Sequence, residues 1–447
     1  MLGWRKKVNS NPHSKLWNSP NFVFLLLAFF VPLIIRAIPE ILMGPYVTGF
    51  DTMGHYVPTT LLWMNGSIGF WSFVATAPLF YSIVVFLVSS GGVLITVLKV
   101  IPPIFLGFLG LSIFGYAKRG LGWSSMKSLV VSLFATLYFV SLRISWDMLR
   151  NELAIILFFV VLTLFSMQKS FSNPWKRYLL LSLTMSFVVL AHQLVSAIMF
   201  GVIGLTIAYD LFRRKHGEIR KLIVSSLPAL TVFVTIFYLS PQVSEFRLIF
   251  GFSQNDGWLT LFGYSSYGAM LISLVGFFLF CFLPLLPFIV IGVKRLGNFQ
   301  MYAWVFLGII GAIIPMVSPS NLRWIMMLTY PFAFYVTDAI SRIKLVSWKR
   351  FKITLYKIVV VYLILMISIL SLGFILLPPA DPLPFFNPQL SNAYVYQMPT
   401  SMLQNTVSIA DCQDTINVLQ WLKTNMTSNS VLLSHRAFFG WALSNLN

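Results

Sequence analysis

Asp51, in the stretch GPYVTGFDTMGHY, is a lone carboxylate just beyond the first apolar run of a chain with few acids. The 447 residues hold 12 Asp and Glu against 31 Lys and Arg. An ionised side chain beside hydrocarbon costs several kcal/mol unless it is paired or hydrated, so each one kept there needs a reason. Four other stretches carry groups of similar promise: Asp147 and Glu152 in SLRISWDMLRNELAII, His192 in LAHQLVS, Glu245 in SPQVSEF and Arg323 in NLRWIMMLTYPFAFYV. Carboxylates offer hard oxygen ligands or a general base, and an arginine fork binds phosphate through two parallel hydrogen bonds. Acids and arginines at helix ends suit an anion held together with a cation, provided the elements bring them to one side.

Those elements are membrane helices. With 58% hydrophobic and 10% charged residues and a mean hydropathy of +0.83, the chain reads as an all-α polytopic membrane protein. Apolar runs long enough to cross hydrocarbon lie at 21–36, 93–117, 128–142, 153–168, 177–192, 194–212, 222–239, 270–293, 301–317, 325–340 and 354–377, about 11 crossings. Arg5, Lys6 and Lys7 precede the first run, which lacks a small-residue cleavage site and reads as an uncleaved signal anchor. The net charge of +19 does not imply nucleic acid, because the basic residues fall in short loops between apolar runs. Cys281 and Cys412 do not suggest a disulfide or a zinc site.

Positive residues collect on the cytoplasmic side. With the N-terminus inside, Lys118 and Arg119, Lys176 and Arg177, RRKHGEIRK at 213–221, Lys294 and Arg295, and SRIKLVSWKRFK at 341–352 all fall there. That alternation holds only if Phe70–Ser89 does not cross; Gly69, Pro78 and SSGG at 89–92 break it into an outer juxtamembrane or re-entrant helix pair. Asp51, Asp147, Glu152, Glu245 and Asp256 then face outward, with Arg36, Arg143, Arg150, Arg247 and Arg323. Asp210, Glu218 and Asp338 face inward, near basic residues. Residues 1–377 form the membrane region, and 378–447 an extracytoplasmic segment. The segment opens with the Pro-rich LPPADPLPFFNPQL and continues as a short helix at 411–422 and a strand at 430–435. It is a short α/β piece with the size of a truncated soluble domain.

The layout resembles the GT-C membrane glycosyltransferases, and most closely the catalytic subunit of oligosaccharyltransferase. GFDTMGHYVPTTLLWMNG is similar to that family's first outer loop. SLRISWDMLRNELAII resembles its second outer loop, SPQVSEF its SVSE or TIxE element, and NLRWIMMLTYPFAFYV the helix whose arginine contacts the carrier phosphate. The resemblance implies a multi-pass protein of the cell membrane with its active site on the extracytoplasmic face. It would transfer a sugar or glycan from a polyprenyl-phosphate or -pyrophosphate donor to a protein, lipid or glycan acceptor. Asp51 and Asp147 would be catalytic. Asp51, Asp147, Glu152 and Glu245 would hold Mg²⁺ or Mn²⁺, Arg323 and His192 would bind the donor phosphate, and His55 would stand behind Asp51.

Each residue also has a plainer reading. Asp51 would cap a helix, and Glu152 would join Arg143 and Arg150 in an interfacial salt-bridge cluster. Glu245 would be a solvated loop acid, Arg323 would reach for lipid headgroups, and His192 would be a hydrogen-bonded turn residue. Lys99 lies near the outer end of its run, where it would meet lipid phosphates. The family's WWDYG sequence is missing; SHRAFFGWAL stands at the corresponding place, without its acid. A diverged oligosaccharyltransferase acting on Asn, and a transporter or flippase of lipid-linked sugars, are therefore the alternatives.

Overall fold

The structure, a computed structural model, describes residues 20–167, 174–213, 216–236, 265–314, 321–342, 355–379, 398–427 and 429–446. Among these, helices dominate: α1 (Pro20–Leu42), α2 (Val57–Met64), α3 (Phe70–Ala75), α4 (Leu79–Ser89), α5 (Leu94–Gly115), α6 (Ser125–Leu137), α7 (Phe139–Asp147), α8 (Leu149–Ser166), α9 (Pro174–Ala191) and α10 (Gln193–Phe212). They continue with α11 (His216–Val234), α12 (Tyr267–Phe282), α13 (Leu286–Leu296), α14 (Phe299–Ile313), α15 (Asn321–Met327), α16 (Thr329–Ser341), α17 (Leu355–Leu376), α18 (Cys412–Asn425) and α19 (Phe439–Leu446).

Within the described residues the apolar runs expected to cross are largely helical. Six helices among the described residues are long and apolar enough to span a membrane, or seven if the bent pair α6–α7 is one span. The chain is thus an all-α membrane protein. Sequence signals account for many helix boundaries. Ser124, Ser266 and Asn298 accept the amide of the residue three positions on and cap α6, α12 and α14. Gly297, at φ 63°, ends α13 just after Lys294 and Arg295, whose charges suit a helix C-terminus.

Two breaks matter for function. Between α6 and α7 the axis turns by 60° at Tyr138, whose extended backbone interrupts the helix and whose hydroxyl donates to the Cys281 carbonyl. The Phe70–Ser89 stretch is a helix pair as expected, broken at Thr76–Pro78, with Ala77 in the left-handed region at φ 57°. The core between α5, α8, α14 and α16 is aromatic: Tyr116, Phe158, Phe159, Trp304, Tyr330 and Phe334 pack on one another.

The described part of the C-terminal segment leans on the loop after α1. Trp146 Nε1 donates to the Met402 carbonyl at 2.9 Å, and Gly49 N to the Gln404 carbonyl at 3.0 Å. Asn405 Nδ2 donates to the Val47 carbonyl at 3.1 Å. In α19, Gly440 sits on the loop helix so closely that a Cβ there would lie 1.8 Å from the Met53 carbonyl oxygen. The expected helix forms as α18. The expected strand does not: Val431–His435 takes no regular secondary structure and joins no ladder among the described residues. Val431 and Leu433 are 93% and 96% exposed, so among the described residues no second edge lies beside the segment to complete a sheet.

Candidate functional site

The loop carrying Asp51 meets the end of α7 carrying Asp147. Gly49 makes this possible. It adopts φ 94°, and a Cβ there would come within 2.6 Å of the Trp146 carbonyl oxygen and 2.8 Å of Asp147 Cβ. Phe50 packs edge-on against Trp146, ring centroids 4.7 Å apart. Beyond Asp51 the chain winds as a π-helical turn, Thr52–Tyr56, leading into α2. Such turns recur at functional sites. The Asp51 carboxylate makes no cap hydrogen bond, so the capping role is not the one it plays. Its side chain is 27% exposed, with His55 Nε2 3.9 Å away on the next turn.

Tyr56 ties the loop to the junction of α7 and α8. Its hydroxyl donates to the Asp147 carbonyl at 2.7 Å and accepts the Leu149 amide at 3.1 Å. Burial, and next the negative charge of Asp51, push this phenol well above its usual range, so it stays a protonated donor. The Asp147 side chain is buried and pairs with Arg143, one helical turn earlier. Arg143 in turn lies over the Trp146 ring at 5.1 Å. Asp51 and Arg323 also lie within electrostatic reach of Asp147.

Three basic side chains from three elements lie near the two acids or near one another. Arg150, in the first turn of α8, donates to the Thr76 carbonyl freed at the break between α3 and α4, and rests over the Tyr81 ring. Arg323 belongs to the first turn of α15. The Nε atoms of both guanidinium groups are buried and have no hydrogen-bond partner. His192, 5% exposed, sits between α9 and α10, where its Nδ1 accepts the Leu194 amide at 3.1 Å. That bond leaves the proton of the neutral ring on Nε2. Arg150 and Arg323 both lie within electrostatic reach of this imidazole. The turn role expected of His192 is therefore real, and it coexists with a place beside the two arginines.

Among the sequence-derived candidates, Asp51, Asp147, His55, His192 and Arg323 thus lie near one another at helix junctions. Glu152 does not join them. It is fully buried in α8, faces Arg36 and the Ser145 hydroxyl, and neither carboxylate oxygen makes a hydrogen bond. Glu245 lies outside the described residues. Among the described residues no three His, Cys, Asp or Glu side chains group closely enough to form a metal cage. Of the acids expected to hold a metal, Asp51 and Asp147 lie near each other, with Asp147 already paired to Arg143. Mg²⁺ commonly takes one or two carboxylates and fills its shell with water and substrate phosphate.

Arg150, Tyr56 and Glu40 are the residues that sequence reasoning placed elsewhere or passed over. Glu40 pairs with Arg36, their atoms 2.9 Å apart, at a four-residue spacing that a helix makes legible. Lys99 does not reach for lipid phosphate. Its ammonium donates to the carbonyls of Glu40, Gly44 and Tyr46 at 2.6–2.8 Å, closing the end of α1. Asp338 pairs with Lys127 at 2.5 Å and with Arg342 at 3.0 Å. The sequence matches no family model and no curated protein.

Proposed function

We propose that this protein is a membrane glycosyltransferase that takes a sugar or glycan from a polyprenyl-phosphate or -pyrophosphate donor. The reading rests on one observation: two half-buried arginines, each with a buried and unsatisfied Nε, and a buried imidazole lie near a pair of carboxylates at helix ends. Buried, unpaired donors of this kind are costly unless a ligand completes them, and phosphate oxygens do so well. A pocket framed by membrane helices lets the polyprenyl chain stay in lipid while its phosphate enters.

The chemistry follows from the residues. Arg150, Arg323 and the His192 Nε2–H hold the phosphate and stabilise the charge that grows on its bridging oxygen as the sugar leaves. The bond from the anomeric carbon to that oxygen breaks, and its electron pair stays on the phosphate. The acceptor's nucleophilic atom forms the new bond to the same carbon and gives up its proton to Asp51, the partly exposed carboxylate. Asp147, held by Arg143, fixes the other side of the pocket. A divalent ion bound by Asp51 and Asp147, when present, would add Lewis-acid stabilisation of the phosphate. The crossings expected from the sequence, with the N-terminus inside, would place this site on the extracytoplasmic face of the cell membrane, among membrane lipids and open to a protein, lipid or glycan acceptor. Asp51→Asn tests the proposal. In membranes supplied with labelled polyprenyl-phosphate sugar, the variant is expected to fold normally and lose transfer by at least about 10²-fold. Transfer at the wild-type rate would remove Asp51 from the chemistry.

A further inference from the structure

A second group of buried charges lies directly behind the pocket. Arg36, in α1, is completely buried, and its guanidinium points three ways. Nε donates to the Ser145 carbonyl at 3.2 Å, two residues before Asp147. NH2 donates to Thr48 Oγ1 at 3.1 Å, three residues before Asp51. NH1 pairs with Glu40 at 2.9 Å, and the Thr48 hydroxyl donates to the same Glu40 oxygen at 2.5 Å. Glu152 faces Arg36 from α8, and Lys99 ties the end of α1 to Gly44 and Tyr46. Two acids and one ammonium thus surround one guanidinium fork, and that fork joins the stretch before Asp51 to the end of α7.

We propose that Arg36 is a positioning residue that sets the spacing between Asp51 and Asp147, with Glu40 and Glu152 as its buried counter-charges. This rests on reading those two acids as the reacting pair. A planar fork reaches Thr48, Ser145 and Glu40 from separate nitrogens in fixed directions, whereas an ammonium offers all its donors from one point. Displacing a reacting group by about 1 Å costs about 10²-fold in rate, so such a strut acts on turnover more than on binding. Glu152 then has a role that needs no metal: it balances the guanidinium that holds the pocket's walls together.

Thr48→Val is the cleanest test, because it cuts the strut from the loop at constant volume and removes no charge. It is paired with Arg36→Lys and Arg36→Met, using the full chain in nanodiscs. Two quantities are read: amide exchange over 46–52 and 145–149, and kcat and KM for a polyprenyl-phosphate sugar donor. Thr48→Val and Arg36→Met are expected to speed exchange in both stretches, leaving the Lys127–Asp338 end as protected as before. They lower kcat by about 10²-fold with donor KM within about twofold, and Arg36→Lys recovers part of the loss. Wild-type exchange and wild-type kcat in Thr48→Val would overturn the proposal, even if Arg36→Met fails to fold. Should the wild-type chain transfer no sugar at all, the transferase reading falls alone. Faster exchange in both stretches would then still support the strut, and unchanged exchange would refute it.

Discussion

Replacing Gly49 by alanine tests whether the Asp51 loop truly abuts Asp147, and Gly44 supplies the control. Both glycines have left-handed backbone, at φ 94° and φ 60°. An alanine at either therefore bears the left-handed penalty of about 1–2 kcal/mol. They differ in surroundings: a Cβ at Gly44 meets nothing within 4 Å, whereas one at Gly49 falls 2.6–2.8 Å from Trp146 O, Asp147 Cβ and Thr52 Oγ1. Two of those atoms belong to a fully buried backbone segment that has no room to retreat. Overpacking of this kind adds about 1–3 kcal/mol. Gly49→Ala should therefore be destabilising by about 2–5 kcal/mol and Gly44→Ala by about 1–2 kcal/mol.

Hydrogen exchange resolves the difference locally. The Gly49 amide is held by Gln404 of the C-terminal segment and the Leu149 amide by Tyr56, so the first reports the loop's seat on that segment and the second its seat on the α7–α8 junction. In Gly49→Ala, exchange over 46–52 and 145–149 should rise by more than about tenfold, since each 1.4 kcal/mol is a factor of ten. In Gly44→Ala the rise should be confined to the turn after α1. Equal behaviour of the two variants would mean that the close approach at Gly49 does not exist. The pocket built on it would go with it.

Two further outcomes follow from the pairing of buried groups. Arg143→Met leaves the Asp147 carboxylate without its partner and should destabilise the detergent-solubilised protein by about 3–5 kcal/mol, whereas Arg143→Met with Asp147→Leu should regain most of that stability. Thermal unfolding followed by size-exclusion chromatography measures both, and a harmless single change would refute the pairing. Tyr56→Phe should cost about 1–3 kcal/mol by orphaning the Asp147 carbonyl and the Leu149 amide. Because the phenol is held protonated, wild-type transfer should show no inflection from Tyr56 as pH rises to 10.0. An inflection below that pH that disappears in the Phe variant would contradict its neutral, structural role.

The helices were legible because apolar runs of that length have few other solutions, and capping residues such as Ser124 and Asn298 mark where several begin. The bend at Tyr138 was not, since neither glycine nor proline marks it; it depends on a hydrogen bond to Cys281, distant in sequence. In the pocket, Asp147 and its i,i+4 partner Arg143 could be read directly. Glu152 could not. Only five residues separate it from Asp147, but the chain turns at Met148, at φ −94° and ψ 52°, and sends the two acids to different neighbours. Arg150 was legible as a charge, while its place beside Arg323 and His192 depends on a carbonyl that the Ala77 turn frees. The strand expected at 430–435 had the right residues and no partner edge, which a sequence window does not reveal.

The most direct measurement is the affinity of the purified protein in nanodiscs for a polyprenyl phosphate without sugar. Each guanidinium contributes charge-assisted hydrogen bonds of about 1.5–3 kcal/mol, so Arg150→Ala and Arg323→Ala should each raise Kd by about tenfold or more. Asp51→Asn, which removes a negative charge beside the anion, should bind at least as tightly as the wild type. If both arginine variants bound the lipid phosphate as the wild type does, the two guanidinium groups would not hold the donor, and the pocket would have to be read another way.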